Sequence, residues 1–329
     1  MIPRSLGTHV AILFATIGGF TFPTATIAQQ RSQGLSASVG VTQPAVPGRV
    51  GLNPLLPVNH QPVEQLLQPS TAPIRVAENA GLPGAGRPRF DTSLQHPDEH
   101  PLMPALRWAY AGIEEIRGLE DYSCNFVKHE RVGGDLLDHE HMFMKVRHRP
   151  FSVYMYFLSP PAVRGQEVIF VEGQNDGKMW AHTIGVRDRL VGTVSLSPTG
   201  PLAMKGNRYP ITEAGILTLV TRLIEIGERD AKFGECDVQF FPDAKVNGRR
   251  CTCIQVVHPV PRRNFLFHLA RIYVDDELNM PIRYEAFDWP EKQGGKPVLT
   301  EEYTYLNFKA NNGFTDADFD IRNPSYNFR

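Results

Sequence analysis

Cysteine is scarce in this chain, with four residues in 329, Cys124, Cys236, Cys251 and Cys253, and none before Cys124. That excludes a disulfide-dense scaffold and an N-terminal cysteine open to acylation. Charge of one sign is lacking as well: 34 Lys and Arg stand against 35 Asp and Glu, a formal net charge of -1. No whole-molecule field gathers nucleic acid or anionic membrane, so any partner is recognised locally. The basic pairs Arg249-Arg250 and Arg262-Arg263 come without an aromatic platform, which argues against nucleic acid. No apolar run reaches the ~20 residues that cross a bilayer. Also missing are the Gly-x-Ser-x-Gly elbow, His-Glu-x-x-His, a phosphate-cradling glycine loop and a dinucleotide fingerprint, which removes the common hydrolase and nucleotide chemistries.

What is present falls into three parts. Met1–Ala28 carries Arg4, then an apolar run from Val10 to Phe22, then Thr26-Ile27-Ala28, the order of a secretory signal with cleavage after Ala28. The expectation is an exported protein of the periplasm or cell envelope. Residues 29–103 are rich in Pro, Gly, Ser, Gln and Ala, and their prolines leave no apolar period, so this part is expected to be a disordered linker. Its His96-Pro97-Asp98-Glu99-His100 cluster offers imidazoles and carboxylates, read as a solvated polar segment. Residues 104–329 are expected to form one α+β domain.

The domain declares itself in Arg271–Trp289. Ile272 and Val274 alternate with polar neighbours, Asp275 to Pro281 break the pattern, and Ile282, Tyr284 and Ala286 resume it, which gives two strands around a turn. Upstream, Leu106, Ala109, Tyr110, Ile113 and Ile116 recur at helical spacing from Pro104 to Gly118. Strands follow at 121–131, 136–147, 151–158, 166–172 and 178–183, with connections too short for anything but antiparallel neighbours. Phe151–Leu158 is apolar on both sides, so both faces of the sheet must be covered there. Residues 185–209 read as a long binding loop or lid. A second helix starts under a Thr212 cap and is closed by Gly227. Strands at 237–241, 249–257, 265–274, 282–288 and 300–308 complete the chain, before a turn at 316–319 and an irregular tail.

Cys251 and Cys253 share a strand face, and one of them could meet Cys236 across the hairpin turning at Asn247-Gly248, a Cys236–Cys251 disulfide being the candidate. Free buried thiols and a metal site are the alternatives. Glu167, Glu172, His148, His182 and Asp275-Asp276-Glu277 are the candidate acids and bases. Each reads more simply as a solvated face or turn, and Asp275–Asn279 lacks the glycine and distal Glu of a calcium loop. No cofactor and no metal is expected.

The phrases Arg149-Pro-Phe-Ser-Val-Tyr-Met155, Gly165-Gln-Glu-Val-Ile-Phe-Val-Glu-Gly173 and Arg208-Tyr-Pro-Ile-Thr212 resemble a family of secreted bacterial proteins, the domain of unknown function "fifteen seventy-one". The element order and the phrase Leu278-Asn-Met-Pro281 between strands look like the periplasmic lipoprotein carriers, LolA-like and LolB-like proteins. That resemblance implies a strongly curved antiparallel sheet, an incomplete barrel, with helices on its concave side and acyl chains held between. The lining it implies here is Met142, Met144, Tyr154, Tyr156, Phe170 and Trp180. The carriers' gating arginine has only positional counterparts in Arg147, Arg149 and Arg164. The function expected is a non-enzymatic module binding a lipid or lipidated protein. The alternative is an envelope protein-interaction or sensing domain with a self-filled core, and a hydrolase stands third.

Overall fold

In a computed structural model of the chain, residues 96, 98–183 and 192–328 are described. The signal segment and almost all of the linker lie outside them. The described elements are α1 (Met103–Arg117), β1 (Asp121–Val132), β2 (Asp135–Leu136), β3 (Glu140–Arg147), β4 (Ser152–Ser159), β5 (Glu167–Val171), β6 (Met179–His182) and β7 (Thr193–Leu196). A one-turn helix α2 (Pro201–Met204) and the long α3 (Ile216–Asp230) lead to β8 (Asp237–Val246), β9 (Arg249–Val257), β10 (Leu269–Asp275), β11 (Pro281–Asp288) and β12 (Val298–Ala310).

The strands make a 12-stranded sheet in the order β7-β6-β5-β4-β3-β1-β12-β11-β10-β9-β8, with β2 beside β1. Its neighbours are antiparallel throughout, and the first and last long strands meet at its middle, Phe126 opposite Tyr305. The meander expected from short connections runs outward from there to β7, and the second half of the chain returns from β8. The two end strands do not pair with each other, so the sheet is open, the α+β architecture of an unclosed barrel.

Period-two alternation decides the faces. Tyr122, Cys124 and Phe126 of β1, Met142, Met144 and Val146 of β3, and Val153 and Met155 of β4 turn one way and are buried with the helices. Leu106, Ile113 and Ile116 of α1, with Ile216, Val220 and Ile224 of α3, close that core. Each such side chain taken from water contributes roughly 1.5–3 kcal/mol. The opposite side of β4 and β5 is covered too, by the chain's own C-terminal segment. Phe319 and the partly buried Phe314, Ile321, Tyr326 and Phe328 pack there against Tyr154, Ile169 and Val171. The Tyr326 ring stacks on Tyr154 at 4.1 Å, and Asp121 Oδ2 accepts the Phe314 N–H at 2.8 Å. The irregular tail is therefore a second covering layer.

Three local expectations change. The segment 185–209 is not a plain loop, since β7 and α2 lie within its described part. The helix α3 begins after Gly215 at φ 108°, not at Thr212. Its first N–H is taken by the Tyr122 hydroxyl at 3.0 Å, a tertiary cap that no local pattern shows. Gly227 does not end α3, which runs on to Asp230. A Cβ at Gly227 would stand 2.9 Å from Leu106 Cδ2, so this glycine marks where α1 and α3 come closest.

The hairpin turns follow their residue chemistry. Asn247 and Gly248 have φ of 48° and 79°, the signs that a tight two-residue turn needs. Asp275 Oδ1 accepts the N–H groups of Glu277 at 3.0 Å and Leu278 at 2.9 Å, closing the β10–β11 turn. The candidate Cys236–Cys251 disulfide is corrected. All four cysteines are unpaired and buried. Cys251 faces Ala244, whereas Cys236 precedes Asp237, which pairs with Val257 at the other end of β9. Six residues of strand separate the two ends, about 20 Å at the rise of a β-strand, against a bridgeable Cα separation of about 7 Å or less. Burial pushes the thiols of Cys251 and Cys253 up to about 12.

Candidate functional site

Between the concave face of the sheet and α3 lies a cavity of about 430 Å³. That is within the ~300–1,000 Å³ of small-molecule sites. Its floor comes from strands far apart in sequence: Phe126, Met142, Met155, Phe157, Val168 and Met179 on one side, Tyr284, Ala286, Tyr303 and Tyr305 on the other. Its roof is one stripe of α3, Thr218, Leu219, Arg222, Leu223 and Ile226, and residues 207–215 close one wall. A single cavity touching β6 at Met179 and β11 at Ala286 requires the sheet to wrap around α3. A second cavity of about 100 Å³ lies where α1 and α3 cross, and Leu223, Ile226 and Phe267 line both. At the margin Leu266, which lines the larger cavity, is 59% exposed, and Leu202, beside the lining residue Ala203, is 74% exposed.

One end of the cavity is polar. Glu130 on β1 stands opposite Glu301 on β12, and both carboxylates are buried. Like charges this close persist only when answered. The Tyr303 hydroxyl donates to Glu130 Oε1 at 2.5 Å and the Arg208 N–H to Oε2 at 3.1 Å. Glu301 Oε2 accepts from Arg208 Nε at 2.9 Å and from the Tyr209 hydroxyl at 2.8 Å. Lys128 adds a second cation beside Arg208, 3.6 Å from Glu130 and 2.9 Å from Glu140. Burial, with Glu301 beside it, pushes the Tyr209 phenol up to about 12, and burial likewise raises that of Tyr303. Arg222 lies 4.2 Å over the Tyr209 ring and pairs with Glu213 at 2.6 Å. These contacts strap residues 207–210 to the sheet. Arg208-Tyr209 belongs to a phrase picked out by resemblance, but nothing local in the sequence announces its acidic partners.

The six residues of the expected lining are divided by the fold. Met142 lines the cavity. Met144 is fully buried in the core under the helices, and Phe170 lies in a small cluster with Met179 and Ala181. Tyr154, Tyr156 and Trp180 are on the other face of the sheet, the tyrosines under the C-terminal segment and Trp180 at a cleft beside it. Strand alternation separates Tyr154 and Tyr156 from Met155 and Phe157, and the latter pair reaches the cavity.

The candidate acids and bases are also placed. Glu167 is not on a solvated face: it is fully buried and accepts from Asn327 N at 3.1 Å and from the Tyr154 hydroxyl at 3.3 Å. Asp275 is buried in its turn beside Arg249. Glu172 accepts from Phe151 N at 3.3 Å, and His148 Nδ1 meets the Leu119 carbonyl at 2.9 Å. His182 stands edge-on to Phe328. Of the His96–His100 cluster, Glu99 is paired with Arg107 at 2.7 Å and His100 with the Phe233 carbonyl at 2.9 Å, while Pro97 lies outside the described residues. Arg147 pairs with Asp316 at 2.8 Å on the face away from the cavity, and Arg149 and Arg164 donate to the carbonyls of Arg117 and Leu158. None of these three lines the cavity.

Among solved structures, the Mycobacterium tuberculosis lipoprotein LppX is similar at 13% identity over 66% of this chain and 100% of that one, with a TM-score of 0.39. A DUF1329 family protein from Desulfovibrio piger ATCC 29098 is similar at 13% identity over 67% of this chain and 98% of its own, with a TM-score of 0.34. A LolA superfamily protein from Nitrosomonas europaea is similar at 10% identity over 64% and 97%, with a TM-score of 0.28. No curated protein matches the sequence. The model of the family described as protein of unknown function (DUF1571) matches residues 119–328, and the chain belongs to that family.

Proposed function

We propose that this protein is a non-enzymatic binding module of the cell envelope that holds an apolar chain, a lipid or the acyl group of a lipidated protein, between α3 and the concave face of the sheet. One observation carries the reading: about 430 Å³ of space floored by Met142, Met155, Phe157 and Met179 and roofed by Leu219, Leu223 and Ile226. Each methylene moved from water into such surroundings contributes about 0.8 kcal/mol, so half an acyl chain offsets association costs of several kcal/mol. The methionine side chains adapt their shape to a flexible guest. Leu266 and Leu202 extend the apolar surface outward, where a chain would enter. Export on the Met1–Ala28 signal would place the module where such chains are handed between membranes, and among the described residues no helix is long and apolar enough to cross one.

The buried carboxylates Glu130 and Glu301 in the same cleft are what favours a hydrolase as second reading. Against it, the donors about them are committed: Tyr303, Tyr209, Arg208 and Lys128 already satisfy these oxygens. The test is native mass spectrometry of protein recovered from a periplasm, with the delipidated protein offered a fluorescent fatty acid. Co-purified lipid and saturable uptake support the reading. Absence of both ends it, and turnover of ester substrates that Glu130→Gln abolishes would favour the hydrolase.

A further inference from the structure

On the face of the sheet turned away from the cavity, three metal-ligating side chains converge. His129 on β1 stands directly opposite Glu302 on β12. His139 ends the connection from β2, one residue before β3, and its ring lies over that of His129 with centroids 3.7 Å apart. One ligand atom from each of His129, His139 and Glu302 falls within 4.8 Å of the other two. His139 Nε2 and Glu302 Oε1 are 4.0 Å apart. His129 and His139 are half-buried and Glu302 is buried, and all three rest on strand positions or beside one, so the backbone holds them in place without a ligand.

We propose that His129, His139 and Glu302 form a binding site for a divalent transition-metal ion of the zinc type. Two imidazole nitrogens and one carboxylate oxygen are the donors such an ion prefers over magnesium or calcium, and three protein ligands leave a fourth position open. In a tetrahedral zinc site neighbouring donor atoms stand roughly 3.4 Å apart and each imidazole points at the ion along its own ring plane, so closure brings the donors about 1 Å nearer and turns one histidine ring out of the present stack, in which the two planes are 26° apart. The fourth position has a candidate in His141, whose ring centroid is 6.5 Å from that of His139, and otherwise falls to water. Outer contacts orient the set. Arg283 Nη2 holds Glu302 Oε2 at 3.0 Å, which leaves Oε1 turned to His139, and the His129 ring is hydrogen-bonded to the Leu137 backbone. The positive charge of Arg283 opposes a cation, and Glu285, 2.7 Å from it, offsets that charge.

The test uses the full chain freed of metal by chelation, titrated with zinc chloride in a calorimeter and with cobalt(II) followed by absorption. The expected result is one equivalent of zinc per chain and the d–d bands of a low-coordinate cobalt site. His139→Asn and Glu302→Gln should each weaken binding by at least about tenfold, the least that loss of even an outer-shell partner costs. His139 is 40% exposed, so its replacement leaves the fold intact, which metal-free thermal melts verify. His100→Asn should bind as the unaltered chain does. No saturable binding, or zinc affinity unchanged in both His139→Asn and Glu302→Gln, would overturn the site.

Discussion

The hydroxyl of Tyr122 accepts the Ile216 N–H at 3.0 Å, so the sheet itself caps the helix that roofs the cavity. Tyr122 is fully buried and stacks on Phe308 at 4.8 Å, which fixes the acceptor in place. Tyr122→Phe keeps the ring but leaves a buried donor unpaired, and should cost about 1–3 kcal/mol in urea unfolding. Gly215→Ala attacks the same junction, because a Cβ there would stand 2.9 Å from the Tyr122 hydroxyl at a φ of +108°. It should destabilise the chain by a similar amount.

Gly227 and Leu106 set how closely α1 and α3 approach. Gly227→Leu should cost about 1–3 kcal/mol by overpacking that crossing. In a double-mutant cycle with Leu106→Ala, which vacates the space, the combined loss should be smaller than the sum by about 1 kcal/mol or more. Simple additivity in the cycle would mean that the two residues do not compete for one space.

How far these features could be read beforehand follows from their range. Strand alternation at Ile272–Val274 and Ile282–Ala286, and the turn chemistry of Asn247-Gly248, are local, and β9, β10 and β11 stand where those patterns put them. The need for cover on both sides of Phe151–Leu158 was equally legible, but not that Phe314, Phe319 and Tyr326 supply it, because nothing local says where a tail returns. The cavity lining is a matter of which face each residue takes. Met155 and Phe157 line it while Tyr154 and Tyr156, one residue over, do not, and only the packing of α3 says which face is concave. The Glu130–Glu301 strap and the His129–His139–Glu302 group join residues from the beginning and the end of the strand-forming part of the chain, so pairing of β1 with β12 had to be known first.

Glu130 anchors the strap across the polar end of the cavity. Glu130→Ala takes the acceptor from the Arg208 N–H and leaves the Tyr303 hydroxyl only Glu301 Oε2 at 3.4 Å, and should cost roughly 2–6 kcal/mol, about 1–3 for each donor that loses its partner. Hydrogen exchange should quicken selectively over residues 207–210. Unchanged exchange there would show that the segment is held by other contacts.

Asp275 gives the β10–β11 hairpin a pH dependence. Burial raises its pKa, but the Arg249 guanidinium and the N–H groups of Leu278 and Glu277 outweigh that and hold the carboxyl below its ordinary 3.8. A depressed folded-state value means that the unfolded chain takes up the proton first. The contribution is complete above about pH 3.8 and is lost as pH falls through the folded-state value. Asp275→Asn should therefore be less stable than the unaltered chain by about 2–3 kcal/mol at neutral pH. The gap should narrow on acidification below pH 3.8, as followed by unfolding midpoints. A gap independent of pH would place the loss in shape rather than charge.

The most direct measurement is the titration of delipidated protein with a fluorescent fatty acid, in the unaltered chain and in variants that fill the cavity from floor and roof, Met155→Trp and Leu219→Trp. The unaltered chain should bind saturably, about one fatty-acid chain per molecule. Affinity should be at least about tenfold lower in each filled variant, a loss of 1.4 kcal/mol or more. Binding of equal strength in all three proteins, or none in the unaltered one, would contradict a lipid site in this cavity.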